Sequence, residues 1–167
     1  MSDAKALDSM TEDEARAALA RCCGASRWVE AMLARRPLGR DLVRHAREVW
    51  STMERADVLE AFDHHPRIGA DLASLREKFA ATREWSASEQ GAVTEASEQT
   101  LEALRDGNVA YEARYGHIFI VCATGKSAAE MLRLLEARMN NEPAEELALA
   151  AAEQMKITEL RLEKLLR

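Results

Sequence analysis

The stretch HIFIVCA at residues 117–123 is the only one in the sequence that reads as extended and buried, being β-branched and apolar. Both of its flanks read as helix. Downstream, Thr124-Gly125-Lys126-Ser127 is a turn into a helix reaching Asn140, and a last helix is expected from near Pro143 to the end. Upstream, Val93, Ala96, Thr100, Leu101 and Leu104 lie at helical spacing, and Gly107 is expected to interrupt that helix before Val109, Tyr111 and Tyr115. Earlier still, Asp71 is positioned to cap a helix through Leu72, Leu75 and Phe79.

The N-terminal half follows the same period. Thr11 and Glu14 have the spacing of a capping box, and acidic residues sit at the positive end of the helix dipole. Ala15, Ala18, Leu19 and Cys22 form its apolar stripe, and Gly24 breaks the run. A second helix over 26–35 places Trp28, Val29, Met32 and Leu33 toward a core before Pro37 ends it. A third runs through Leu42, Val43, Ala46, Val49, Trp50 and Met53. Val58, Leu59 and Phe62 predict a short helix that stops near His65, because Pro66 disfavours helix in the residue before it. With no repeat and no linker-like stretch, residues 1–167 are expected to form a single compact all-α domain with one short extended segment.

Composition bounds the function. The 167 residues are 47% hydrophobic, 31% charged and only 5% aromatic, an ordinary soluble balance rich in helix formers. A formal net charge of -6 argues against a nucleic-acid binder, which needs a basic surface, but leaves room for a small anionic substrate. Cys22, Cys23 and Cys122 are an odd set without CxxC spacing, so reduced thiols are expected. No apolar run is long enough to span a bilayer, no signal-peptide region opens the chain, and the terminal EKLLR is not a peroxisomal address, so the expected location is cytoplasmic.

Two segments have chemical potential. In DHHPRIG, residues 63–69, imidazoles sit where a helix ends and a proline stiffens the chain, which suits His65 to general acid–base work. The same residues serve equally as the end of a helix, with histidines favoured by the dipole and Pro and Gly as punctuation. Metal binding by Asp63, His64, His65 and His117 is not expected, since adjacent histidines point apart and no HExxH-type spacing exists. In SASEQ, residues 86–90, Ser86 and Glu89 fit a capping box, yet a helix start also offers N–H groups to an anion. Gly125-Lys126-Ser127 ends like a P-loop, but Ile120 stands where the first glycine is required, which removes nucleotide binding.

Taken together, the pieces resemble one family, 2-oxo-4-hydroxy-4-carboxy-5-ureidoimidazoline (OHCU) decarboxylase of urate breakdown. The residues that carry the resemblance are His65-Pro66-Arg67-Ile68-Gly69, Ser86-x-x-Glu89-Gln90, Asn108-x-x-Tyr111-x-x-Arg114-Tyr115-Gly116, the FIVCA of 119–123, and Ile157-x-x-Leu160-Arg161-Leu162. They run in register from about Met10 to the C-terminus. The form of Arg67-Ile68-Gly69 is similar to the bacterial branch, and Arg67 takes no role from the family. Some plant relatives carry a fused hydroxyisourate hydrolase domain that this sequence does not include.

The resemblance implies an all-α fold, a homodimer, a small ureide substrate and no cofactor. It implies His65 as proton donor and Glu89 as its catalytic partner. It also implies that Pro66, Ser86, Ala87, Ser88, Gln90, Phe119, Ile120, Val121, Cys122, Ala123 and Arg161 hold the substrate, with backbone groups of 119–123 left unpaired to read planar amide edges. Two other readings compete: a helical interaction module without chemistry, and a relative acting on another ureide.

Overall fold

A computed structural model describes residues 4–65, 72, 73, 75 and 90–167, with the side chains of 90–97 outside that description. Contacts divide the chain into two compact units, Met1–His65 with Ala151–Arg167, and Pro66–Ala150. Among the described residues every regular element is helical, as the sequence pattern predicts.

The first unit contains α1 (Lys5–Asp8), α2 (Glu12–Cys22), α3 (Ser26–Ala34), a 3-10 turn (Gly39–Asp41), α4 (Leu42–Ser51) and α5 (Arg55–Asp63). The capping box of α2 forms as read: Glu14 N–H donates to Thr11 Oγ1 at 3.2 Å, and Thr11 N–H donates to Glu14 Oε1 at 3.0 Å. The predicted stripe of Ala15, Ala18, Leu19 and Cys22 is buried, alongside Trp28 and Met32 of α3 and Leu42, Ala46 and Val49 of α4. Trp28 is fully buried, and its indole N–H donates to the Ala46 carbonyl at 3.2 Å. The start of α3 is tied to α5 by Glu60, whose carboxylate accepts from Ser26 N–H and Oγ, each at 2.8 Å.

Gly24 does more than end α2. A methyl group added there would run into Cβ and the ring of His64. Gly24→Ala should therefore destabilise the protein by about 1–3 kcal/mol, the usual range for overpacking. A urea midpoint that falls at unchanged slope would show it, and an unchanged midpoint would mean that His64 moves aside freely.

The second unit contains α6 (Gln90–Tyr115) and α7 (Ala128–Arg138). A last helix, α8 (Pro143–Leu165), belongs to this unit as far as Ala150 and to the first unit from Ala151. One expectation is corrected here: Gly107 does not interrupt α6, which runs unbroken through it. The reason is packing, since a Cβ on Gly107 would lie 2.5 Å from Leu135 Cδ2 of α7. A mid-helix glycine costs intrinsic helix stability, and here the absent side chain admits a neighbouring leucine.

Gly116 ends α6 with φ +76, a conformation suited to glycine, and its N–H donates to the Glu112 carbonyl at 2.8 Å. Segment 117–123 is then non-helical, pairs in no described sheet, and buries Phe119, Ile120, Val121 and Cys122. Ser127 caps α7 by accepting from Glu130 N–H at 3.2 Å.

Candidate active site

His65 lies just beyond the last turn of α5, where His64 N–H and His65 N–H donate back to the carbonyls of Ala61 and Phe62 at 3.3 and 3.0 Å. Its Nε2 is 2.5 Å from Gln154 Oε1. Gln154 is fully buried, and its Nε2 donates to Thr158 Oγ1 at 3.1 Å; Thr158 Oγ1 in turn donates to the Gln154 carbonyl at 3.0 Å. Burial is the main influence on the imidazole and lowers its pKa from 6.5. The Gln154 contact opposes that shift, while the positive charge of Arg161 adds to it. The net direction is down, so His65 is neutral at neutral pH.

Arg161 stands on α8 three residues after Thr158 and seven after Gln154, spacings that share a helix face. It is half-buried, and among the described residues no carboxylate pairs with it. Its charge also acts on Cys22 and Cys23, but burial dominates there and pushes both thiols up to about 11. Both are therefore protonated at neutral pH, and all three cysteines are free.

The second unit holds segment 117–123 in an ionic network. Arg138 Nη1 donates to the Ile120 carbonyl at 2.7 Å, and its guanidinium lies 4.6 Å from the Phe119 ring centroid. Behind it, Arg138 Nε and Nη2 donate to Glu146 Oε2 at 2.8 and 2.5 Å. Tyr111 Oη and Asn141 Nδ2 also donate to the Glu146 carboxylate. Tyr115 Oη lies 2.9 and 2.7 Å from the Arg138 and Asn141 carbonyls, which share its one proton.

Lys126 adds two anchors, with Nζ donating to the Cys122 carbonyl at 2.7 Å and its N–H to that of Ala123 at 3.0 Å. The expectation of unpaired backbone groups along 119–123 is thus corrected for the carbonyls of Ile120, Cys122 and Ala123. A buried carbonyl must find a donor, and two cationic side chains and a turn N–H supply them. His117 packs among aromatic rings, stacked on Tyr115 and edge-on to Tyr111.

Of the residues singled out from sequence, the structure places His65 and Arg161 in one unit, with the charge of Arg161 acting on the His65 ring. Phe119, Ile120, Val121, Cys122 and Ala123 belong to the other unit. Pro66, Ser86, Ala87, Ser88 and Glu89 lie outside the described residues, and of Gln90 only the helical backbone is described. Gln154 and Thr158 were missed. The signal for them is a stripe at every fourth residue of α8, where Glu146, Ala150, Gln154, Thr158 and Leu162 are all buried. Polar residues on such a stripe require partners, so each marks a specific contact.

The profile of a family described as OHCU decarboxylase matches residues 8–163. The uric acid degradation bifunctional protein TTL of Arabidopsis thaliana is 43% identical over 148 residues, covering 86% of this chain and 45% of that protein. The 2-oxo-4-hydroxy-4-carboxy-5-ureidoimidazoline decarboxylase of Amia calva is 39% identical over 59 residues, covering 35% of this chain and 34% of its own. These matches thus span less than half the length of the curated relatives. A crystal structure of OHCU decarboxylase in the presence of (S)-allantoin aligns with a TM-score of 0.72 at 37% identity, over 94% of this chain and 99% of that one. A crystal structure of (S)-allantoin synthase shares the fold with a TM-score of 0.70 at 19% identity, over 98% of this chain and 54% of that one.

Proposed function

The chain belongs to the OHCU decarboxylase family, and from that premise we propose that it converts OHCU to (S)-allantoin and carbon dioxide, with His65 and Glu89 as the reacting pair. The observation that carries the reading is His65 itself: a half-buried imidazole, held through Nε2 by a fully buried amide, with the charge of Arg161 acting on it. An anion-binding cation and a positioned proton carrier in one unit are what decarboxylation followed by carbon protonation requires.

The chemistry needs an electron sink, and the substrate carries one in the ring C=N beside the carbon bearing hydroxyl and carboxylate. The C–C bond to the carboxylate breaks, carbon dioxide leaves, and the electron pair moves into that C=N to give an enol-like intermediate. The hydroxyl then gives up its proton as its carbon becomes the carbonyl of allantoin, and a proton adds to one face of the former C=N carbon, which becomes the stereocentre. No cofactor is required for this sequence. Glu89 hydrogen-bonds the substrate hydroxyl and orients the carboxylate for departure, and His65 delivers the proton. Arg161 holds a urea-type carbonyl or the carboxylate through forked hydrogen bonds. Ser86, Gln90, Pro66 and the remaining groups of 119–123 complete substrate binding. On the family resemblance, the working form is a cytoplasmic homodimer; among the described residues no helix is long and apolar enough to cross a membrane.

A pH profile tests the role of His65. As proton donor it must be the imidazolium, and its pKa in the free protein lies below 6.5. The kcat/KM for freshly prepared OHCU should therefore fall as pH rises through that value. The limb in kcat should lie higher, because a bound carboxylate favours the cation. His65→Asn should abolish the kcat/KM limb. A kcat/KM that is flat from about pH 5 to 8, across the range where histidine titrates, would remove His65 from the mechanism.

A further inference from the structure

The donors and acceptors around Gln154 run in only one direction. A backbone carbonyl can only accept, so the bond between Thr158 Oγ1 and the Gln154 carbonyl uses the single hydroxyl proton of Thr158. Toward the Gln154 side chain, Thr158 Oγ1 is then an acceptor, and the group facing it at 3.1 Å is the amide Nε2. The amide oxygen is left facing His65 Nε2 at 2.5 Å, and an amide oxygen accepts. Thr158 Oγ1 also meets the Cys23 thiol, which is protonated and so faces it as a donor. Rotating the amide would set its oxygen against a hydroxyl whose proton is already given to the Gln154 carbonyl. Gln154 and Thr158 are 0% and 1% exposed, so water is poorly placed to relieve that conflict.

We propose that Gln154, oriented by Thr158, is a positioning residue that fixes the proton of neutral His65 on Nε2 and leaves Nδ1 as the nitrogen that takes up and delivers the catalytic proton. In the neutral ring Nε2 keeps its hydrogen throughout. Protonation occurs at Nδ1, and that proton is the one transferred to the substrate carbon, after which the ring returns to the Nε2–H form. The relay is built on one helix, because residues four apart on α8 face the same way. The catalytic half of the proposal rests on the decarboxylase reading; the tautomer half stands apart from it.

Long-range 1H–15N correlation spectra of protein labelled in its histidine rings report the tautomer directly. They should be recorded at a pH where His65 is neutral, with its signals identified by their loss in His65→Asn. The intact protein should show His65 as the Nε2–H form alone. Gln154→Met, which removes the acceptor, should give a mixture of tautomers and lower kcat roughly tenfold, the worth of one hydrogen bond, with little change in KM. Thr158→Val keeps volume and frees the amide to rotate, so it should also give a mixture; it decides the matter if Gln154→Met does not fold. Gln154→Glu restores an acceptor, and should recover the Nε2–H form and raise the titration point of His65.

A proton found on Nδ1 in the intact protein would overturn the proposal. So would an unchanged tautomer in Gln154→Met, whatever its activity, or in Thr158→Val. If the intact protein shows the Nε2–H form but does not accelerate OHCU decay, the tautomer assignment stands and the decarboxylase reading fails.

Discussion

His65→Asn and Glu89→Gln, made separately, are each expected to slow OHCU turnover by on the order of 10²-fold or more, the usual contribution of a positioned acid or base. The Asn substitution is the more telling. It is smaller than imidazole and retains an amide able to donate toward Gln154, so folding should survive. What it removes is the group that carries a proton at ordinary pH. Residual turnover in that variant should lose its stereochemical outcome, because the intermediate would be protonated by solvent from either face. The stereochemistry of the product, read with the rate, separates loss of the donor from general damage. Near-normal turnover with allantoin still formed as one enantiomer would exclude His65 as the donor.

The largest expected effect on stability lies in the other unit. Glu146 is 0% exposed and paired with Arg138, which is itself 8% exposed. Glu146→Gln leaves a buried guanidinium without its counter-charge, and breaking such a pair costs about 3–5 kcal/mol. In a protein of this size that lowers Tm by roughly 6–20 °C. The double substitution Arg138→Met with Glu146→Leu should recover only the part of the loss due to the unpaired charge, because it leaves Tyr111 Oη, Asn141 Nδ2 and the Ile120 carbonyl without these partners. It should not recover substrate binding, since Arg138 also anchors the Ile120 carbonyl of segment 117–123. A double variant as unstable as the single one would show that the network contributes by something other than charge pairing.

The pair also sets a pH dependence. Burial works to raise the Glu146 pKa, but the hydrogen bonds from Arg138 and Tyr111, with the nearby charge of Arg138, outweigh it and the net shift is downward from 4.5. A carboxylate lowered in the folded state contributes stability that is fully present above its unfolded value and is lost as pH falls through the folded value. Acid unfolding below about pH 4.5 should therefore be less steep in Glu146→Gln than in the parent.

Helices were the most legible feature because their signals are local. The Thr11–Glu14 box and the stripe from Ala15 to Cys22 needed nothing beyond spacing, and both are present in α2. Gly107 misled for a physical reason: intrinsic propensity marks it as a break, whereas the space filled by Leu135 depends on α7, distant in sequence. The non-helical, largely buried character of 117–123 was legible from its residues. The source of its backbone partners was not, since Arg138 reaches Ile120 from eighteen residues away. For the site, local pattern alone left His65 as helix punctuation, and only the in-register family resemblance gave it a role. Gln154 and Thr158 were written in the sequence all the same, as polar residues on the buried stripe of α8.

Production of (S)-allantoin from OHCU by this chain is tested most directly by circular dichroism of the reacting mixture. OHCU generated in place from urate with uricase and hydroxyisourate hydrolase decays spontaneously to racemic allantoin, which has no dichroic signal. Adding this protein should speed the loss of OHCU and leave a persistent signal of the (S) enantiomer. Decay at the spontaneous rate to an optically inactive product would contradict the claim.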